Sequence, residues 1–233
     1  MLFRSTATGT GITGGAQANA SSAINLTAAN GNITLTGTNL SNGAPIKLST
    51  NGNVAFTDTA AVATRLASGT SVAGTATLRN TSGTATLSDI SGGLLLSGTV
   101  LVDMTGAAAT GNINITGSGN SFGAFQFRAN TVTIAEDKTL NIAAGSLATG
   151  VANLSSLADI ITSGAGSSIF SGPATSLTLT AGGNITITNP IAVANGLTFR
   201  ALGAVDLSAL SMANLNGKTP TNLGAASYKA PQP

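Results

Sequence analysis

The sequence predicts an all-β solenoid: a single-stranded parallel β-helix with coils of about 20–22 residues. Three observations carry this. A short word recurs, as "GNITLTG" from Gly31, "GNVAF" from Gly52, "GNINITG" from Gly111 and "GNITITN" from Gly183. After each Gly-Asn, apolar residues alternate with polar ones, many of them β-branched, as in a strand with one buried face. The apolar positions also return at a fixed distance. Ile24 to Ile46 is 22 residues and Ile33 to Val54 is 21, while Leu177 to Leu197 and Ile185 to Val205 are each 20. Two strand series thus share one period, and a period in that range is the mark of a solenoid. The competing architecture is an antiparallel sandwich with ordinary hairpins.

Taken in chain order, residues 1–20 contain one Arg and no apolar run of signal-peptide type, and they read as an N-terminal cap or irregular lead-in. Residues 21–213 are assigned to the β-helix. Apolar-x-apolar units mark its strands, among them Ile24/Leu26, Ile46/Leu48, Val54/Phe56, Leu94/Leu96, Val100/Val102, Ile113/Ile115, Phe125/Phe127, Val132/Ile134, Leu140/Ile142 and Leu197/Phe199. Gly-Asn before a strand is turn chemistry, because both residues tolerate positive φ and the Asn side chain can bond nearby backbone. Two segments break the pattern. Residues 58–75 lack a clear strand pair and read as a short helical or irregular excursion. In residues 146–163, Leu147, Val151, Leu154, Leu157 and Ile161 fall at helical spacing, so this segment is a helix or else a loop leading into a strand. Residues 214–233 contain three prolines and read as a tail or linker.

Composition narrows the function. Hydrophobic residues make up 42% of the 233, but charged ones only 7%, against about 25% in ordinary domains. The surface must therefore be mostly Ser, Thr, Asn, Gly and Ala. Nine basic and seven acidic residues are scattered singly, so nucleic-acid binding has no basic stripe to rest on. There is no Cys and no His, which removes disulfides, thiolate metal sites and the usual neutral-pH acid/base group. No run is long enough for a membrane helix.

Catalysis by a β-helix acting on glycans would need clustered carboxylates. The seven acids are Asp58, Asp89, Asp103, Glu136, Asp137, Asp159 and Asp206. Glu136 and Asp137 are adjacent in a turn-like "AEDKT", where acids are usually solvated. Asp137 and Asp159 lie 22 apart, one coil in principle. No catalytic, cofactor-binding or metal-binding residue is assigned. "SGAGSSIFSG" (Ser163–Gly172) has the glycines of a calcium coil but not its Asp, and reads as a turn. Phe125 and Phe127 alternate into the core, and Phe122, with Arg128 nearby, is the local candidate for an exposed contact patch. Thr-x-Thr pairs, which ice-binding solenoids stack in successive coils, occur at Thr34/Thr36, Thr178/Thr180 and Thr186/Thr188 among others. One period later stand Ala55/Thr57, Thr198/Arg200 and Asp206/Ser208, so the pairs do not line up.

The run "LTLTAGGNITITNPIAVANGLTFRALGAVDLS" (Leu177–Ser208) resembles the β-helical shafts of filamentous-haemagglutinin-like exoproteins, the large adhesins of two-partner secretion, and in style those of autotransporters. The resemblance spans roughly residues 20–210 and implies right-handed coiling. The Asn-Pro-Asn motifs of that family's secretion domain are missing, since only Asn189-Pro190 and Asn195-Gly196 occur. The resemblance implies a structural or adhesive shaft segment of an exported surface protein, with neither export signal nor anchor in this stretch. It implies an extracellular or outer-surface location. The partners it implies are host or neighbouring-cell surface components, glycans included, and an outer-membrane transporter for the full-length protein. Exposed strand edges predict end-to-end self-association. No enzymatic activity and no cofactor are expected. The alternatives are a carbohydrate-binding or polysaccharide-cleaving β-helix and, as a minor one, an ice-binding β-helix.

Overall fold

The computed structural model describes residues 4–7, 11–14, 24–38, 40, 43–107, 110–164, 176–215 and 217–233. The chain is all-β, with about 2% helix, and its parallel strands stack as a β-solenoid of about nine turns. It divides into two compact units, Met1–Gly123 and Ala124–Pro233.

In the first unit one ladder runs through Arg4–Ala7, Ile24–Ala28 and Pro45–Thr50. It continues through Thr64–Ala67 with Ser71–Val72, Thr86–Ile90 with Leu95–Leu96, and Asn112–Ile115 with Ser121–Phe122. A second ladder stacks Ile12–Gly14, Ile33–Gly37, Val54–Asp58, Ala76–Asn80 and Val100–Asp103. In the second unit Val132–Glu136, Val151–Ser156, Ser176–Ala181, Gly196–Ala201 and Thr221–Leu223 form one ladder. Ala124–Ala129, Leu140–Ala143, Ile160–Ser163, Ile185–Thr186, Ala204–Asp206 and Ser227–Lys229 form the other.

All of these pairings are parallel, which sets the sandwich aside. The register is the one the spacing predicts: Ile24 faces Ile46, Ile33 faces Val54, Leu177 faces Leu197 and Ile185 faces Val205. Inward side chains therefore stack in aliphatic columns. Phe56, Phe125, Phe127 and Phe199 are the largest fully buried side chains, and each aliphatic or aromatic side chain so buried contributes roughly 1.5–3 kcal/mol.

Five expectations change. The coil length is not confined to 20–22 residues: Leu96 faces Phe122 and Leu154 faces Leu179, 26 and 25 residues on, because the turns between strands take up extra residues without disturbing the ladders. Residues 146–163 form no helix. Leu147–Ala148, Val151–Ser156 and Ile160–Ser163 are strands, with Val151 and Leu157 exposed and Ala152 and Leu154 buried. Residues 58–75 likewise hold two strands, Thr64–Ala67 and Ser71–Val72. Phe122 is buried rather than exposed, facing Leu96 in the ladder. The ladders also run on both sides of the expected limits at 20 and 213, since Ile12–Gly14 pairs with Ile33–Gly37 and Ser227–Lys229 with Ala204–Asp206. The stretch Ser163–Gly172 lies outside the described residues beyond Gly164.

Candidate functional site

The recurring Gly-Asn word builds a corner. Asn32 Oδ1 accepts the backbone N–H of Asn53 in the next coil at 2.8 Å, and Asn53 Oδ1 accepts that of Thr75, also at 2.8 Å. The second unit repeats the arrangement: Asp159 Oδ1 accepts the Asn184 N–H at 2.6 Å, and Asn184 Oδ1 accepts that of Ala204 at 2.8 Å. The glycine lets the coils close to this distance. A Cβ on Gly52 would stand 2.5 Å from the Gly31 carbonyl oxygen, and one on Gly74 would stand 2.6 Å from that of Gly52. The same clash recurs at Gly98 against Gly74 and at Gly123 against Gly98. Contrary to the turn expectation, Gly52, Gly111 and Gly183 do not adopt positive φ. Close approach, not a left-handed backbone, selects glycine here.

The strand ends use polar side chains in a second way. Asp58, Asn80, Asp103 and Asp206 each accept the backbone N–H two residues ahead with Oδ1, closing Asx turns, and Thr50 and Ser156 do the same with their hydroxyls. Several also reach another coil. Asp58 Oδ2 accepts the Leu40 N–H at 2.9 Å, Asn80 Nδ2 donates to the Ala60 carbonyl at 2.9 Å, Thr50 donates to the Gly31 carbonyl and Ser156 to that of Lys138. Asp89 accepts three donors, the backbone N–H groups of Thr116 and Gly117 and Nδ2 of Asn120. Burial works against the charged form of Asp103, but the Thr105 hydroxyl and the Arg79 guanidinium, 2.8 Å away, hold its carboxyl below the usual range. The Ser208 hydroxyl, followed by the Lys229 ammonium at 2.9 Å, lowers Asp206 to about 2.

Apart from the adjacent Glu136 and Asp137, the seven acids are therefore dispersed along the chain. Asp137 and Asp159 do not share a column: Asp137 follows Glu136, which faces Ser156, while Asp159 precedes Ile160, which faces Leu140. Glu136 is buried, not solvated as its turn-like setting suggested. Among the described residues no three or more His, Cys, Asp or Glu side chains come together. Of the aromatic patch, Phe125 and Phe127 are buried with ring centroids 6.4 Å apart, and Arg128 is left exposed beside them. The sequence reading missed the inward polar residues at strand ends. Their signal was an alternation that ends on Asp, Asn, Ser or Thr just before a turn.

Outward positions make the accessible surface. In the second unit one column runs Thr133, Asn153, Thr178, Thr198, Thr221, with a hydroxyl or amide in every coil. The adjacent column runs Ala135, Ser155, Thr180, Arg200, Leu223. The Thr-x-Thr pairs thus fall out of line as the spacing predicted: Thr178/Thr180 meets Thr198/Arg200, and Thr34/Thr36 meets Ala55/Thr57. This face can accept and donate hydrogen bonds over a broad, nearly uncharged area. No protein-family model, curated protein or solved structure matches the chain.

Proposed function

We propose that this chain is a structural and adhesive β-solenoid segment of a larger exported bacterial surface protein. The observation that supports this reading best is how the polar chemistry is used. Carboxylates and amides close turns and tie coil to coil, and the outward columns carry small hydroxyl and amide side chains. Such a ladder is stiff because each coil bonds to the next and stability accumulates along the stack. Its faces suit contacts spread over many weak hydrogen bonds with host or neighbouring-cell surface components, glycans among them. The likeness of Leu177–Ser208 to filamentous-haemagglutinin-like shafts points the same way and makes an outer-membrane transporter the expected export partner. On this reading the chain cleaves no glycan and takes no cofactor. With a formal net charge of +2, little repulsion opposes association of strand edges, and copies are expected to associate end to end.

Antibody raised against the chain should label intact cells of its source, and the purified chain should bind surfaces of target cells. Labelling that appears only after the cells are broken open would overturn the surface assignment. Absence of binding to any cell surface would overturn the adhesive part.

A further inference from the structure

The corner that opens the strand Gly196–Ala201 holds an Asn-Gly pair whose surroundings differ from those of the other described pairs. We propose that Asn195–Gly196 is a site of spontaneous covalent modification, the one among the described Asn-Gly pairs that first converts a neutral corner into a carboxylate. In Asn-Gly pairs the glycine backbone nitrogen, after losing its proton, attacks the Asn side-chain carbonyl carbon. A new N–Cγ bond forms, the Cγ–Nδ2 bond breaks and ammonia leaves. Water then opens the resulting succinimide at either carbonyl, giving an aspartyl or an isoaspartyl residue at position 195. Each event lowers the formal net charge from +2 by one.

The reaction needs an exposed amide and a glycine that can swing into ring geometry. Asn51 and Asn195 are both exposed, so accessibility does not separate them. Their glycines do. Gly52 donates its N–H to the Thr50 hydroxyl at 2.9 Å, and its carbonyl accepts the Gly74 N–H at 3.1 Å. The space beside it is filled by the Gly31 carbonyl at 2.5 Å and Asn32 Oδ1 at 2.7 Å from the position a Cβ would take. The Asn30–Gly31 pair lies one coil earlier, and its glycine carbonyl is held by Thr50. Gly196 pairs with Ser176 in its ladder, but among the described residues nothing stands within 4 Å of the position its Cβ would take. Gly196 is also the first residue of its strand, where local opening costs least. The Gly-Asn corners are thus shielded by the packing that makes them corners, and Asn195 stands outside that shield.

The test is ageing of the purified full chain at mildly alkaline pH, followed by peptide mass analysis and isoaspartate detection at each Asn. Conversion at Asn195 is expected about fivefold faster than at Asn51, because the Gly31 carbonyl and Asn32 Oδ1 crowd Gly52 while no described residue crowds Gly196. Gly196→Ala, which the open space accommodates, should slow the reaction at Asn195 without unfolding the chain. Thr50→Val should raise the rate at Asn51. Equal or faster conversion at Asn51 in the unaltered chain, or an amide at Asn195 that persists while other sites convert, would overturn the proposal.

Discussion

Single atoms decide where glycine is obligatory. Gly74→Ala places a methyl group against Asn53 Oδ1 and 2.6 Å from the Gly52 carbonyl oxygen, neither of which is a flexible side-chain end free to retreat without breaking a corner bond. The expected cost is about 2–3 kcal/mol, read as a lower midpoint in denaturant unfolding. Asn53→Ala removes the acceptor for the Thr75 N–H at an exposed corner and should cost about 1 kcal/mol, while Asn53→Asp, which keeps an oxygen there, should cost less. Asp206 gives a pH signature. Its folded pKa, about 2, lies below the ordinary 3.8, so its contribution is complete above about pH 3.8 and is lost as pH falls through about 2. Asp206→Asn should therefore lower the melting temperature at neutral pH and leave it unchanged near pH 1 to 2. At this scale the Gly-Asn word was legible as a corner, but its reason was not. Sequence alone cannot separate a glycine chosen for positive φ from one chosen because another coil's carbonyl occupies its Cβ space.

Strands were legible where two inward apolar residues bracket a polar one, as in Ile33–Gly37 and Gly196–Ala201. They were hidden where one inward place is polar: Thr64–Ala67 buries Thr64 and Leu66, and Ser71–Val72 buries only Val72. The apparent helix in 146–163 arose because exposed Val151 and Leu157 happen to complete a helical spacing with buried Leu154. This reading has a direct check. Val151→Ser should change stability by within about 0.5 kcal/mol, whereas Leu154→Ala should cost about 2–5 kcal/mol; a helix would penalise both. Phe199→Ala, in the middle of a column between Leu179 and Asn222, should cost about 3–5 kcal/mol. The candidate site was legible only as an absence of clustered acids. The columns of Thr and Asn followed from the period once the register was known.

In the molecule as a whole, protection from hydrogen exchange should follow the number of ladder neighbours. Strands held on both sides, such as Ser176–Ala181, should exchange slowest, and Thr221–Leu223 and Ser227–Lys229, each with one ladder neighbour among the described residues, fastest. Mass-resolved exchange along the chain checks this, and uniform protection across these strands would contradict it.

The corner bonds also have a direction. At four of these corners the side-chain oxygen belongs to the earlier coil and the backbone donor to the later one: Asn32 to Asn53, Asn53 to Thr75, Asp159 to Asn184, Asn184 to Ala204; Asn120, which accepts from Leu94 of the earlier coil, runs the other way. A chain that becomes free to fold from its N-terminal side would offer the coils arriving at these four corners a waiting acceptor, already aimed along the stack. One that became free from the other side would present donors with nothing yet to receive them. At these four corners the polar side chain thus acts as a one-way latch, favouring an order in which those turns close.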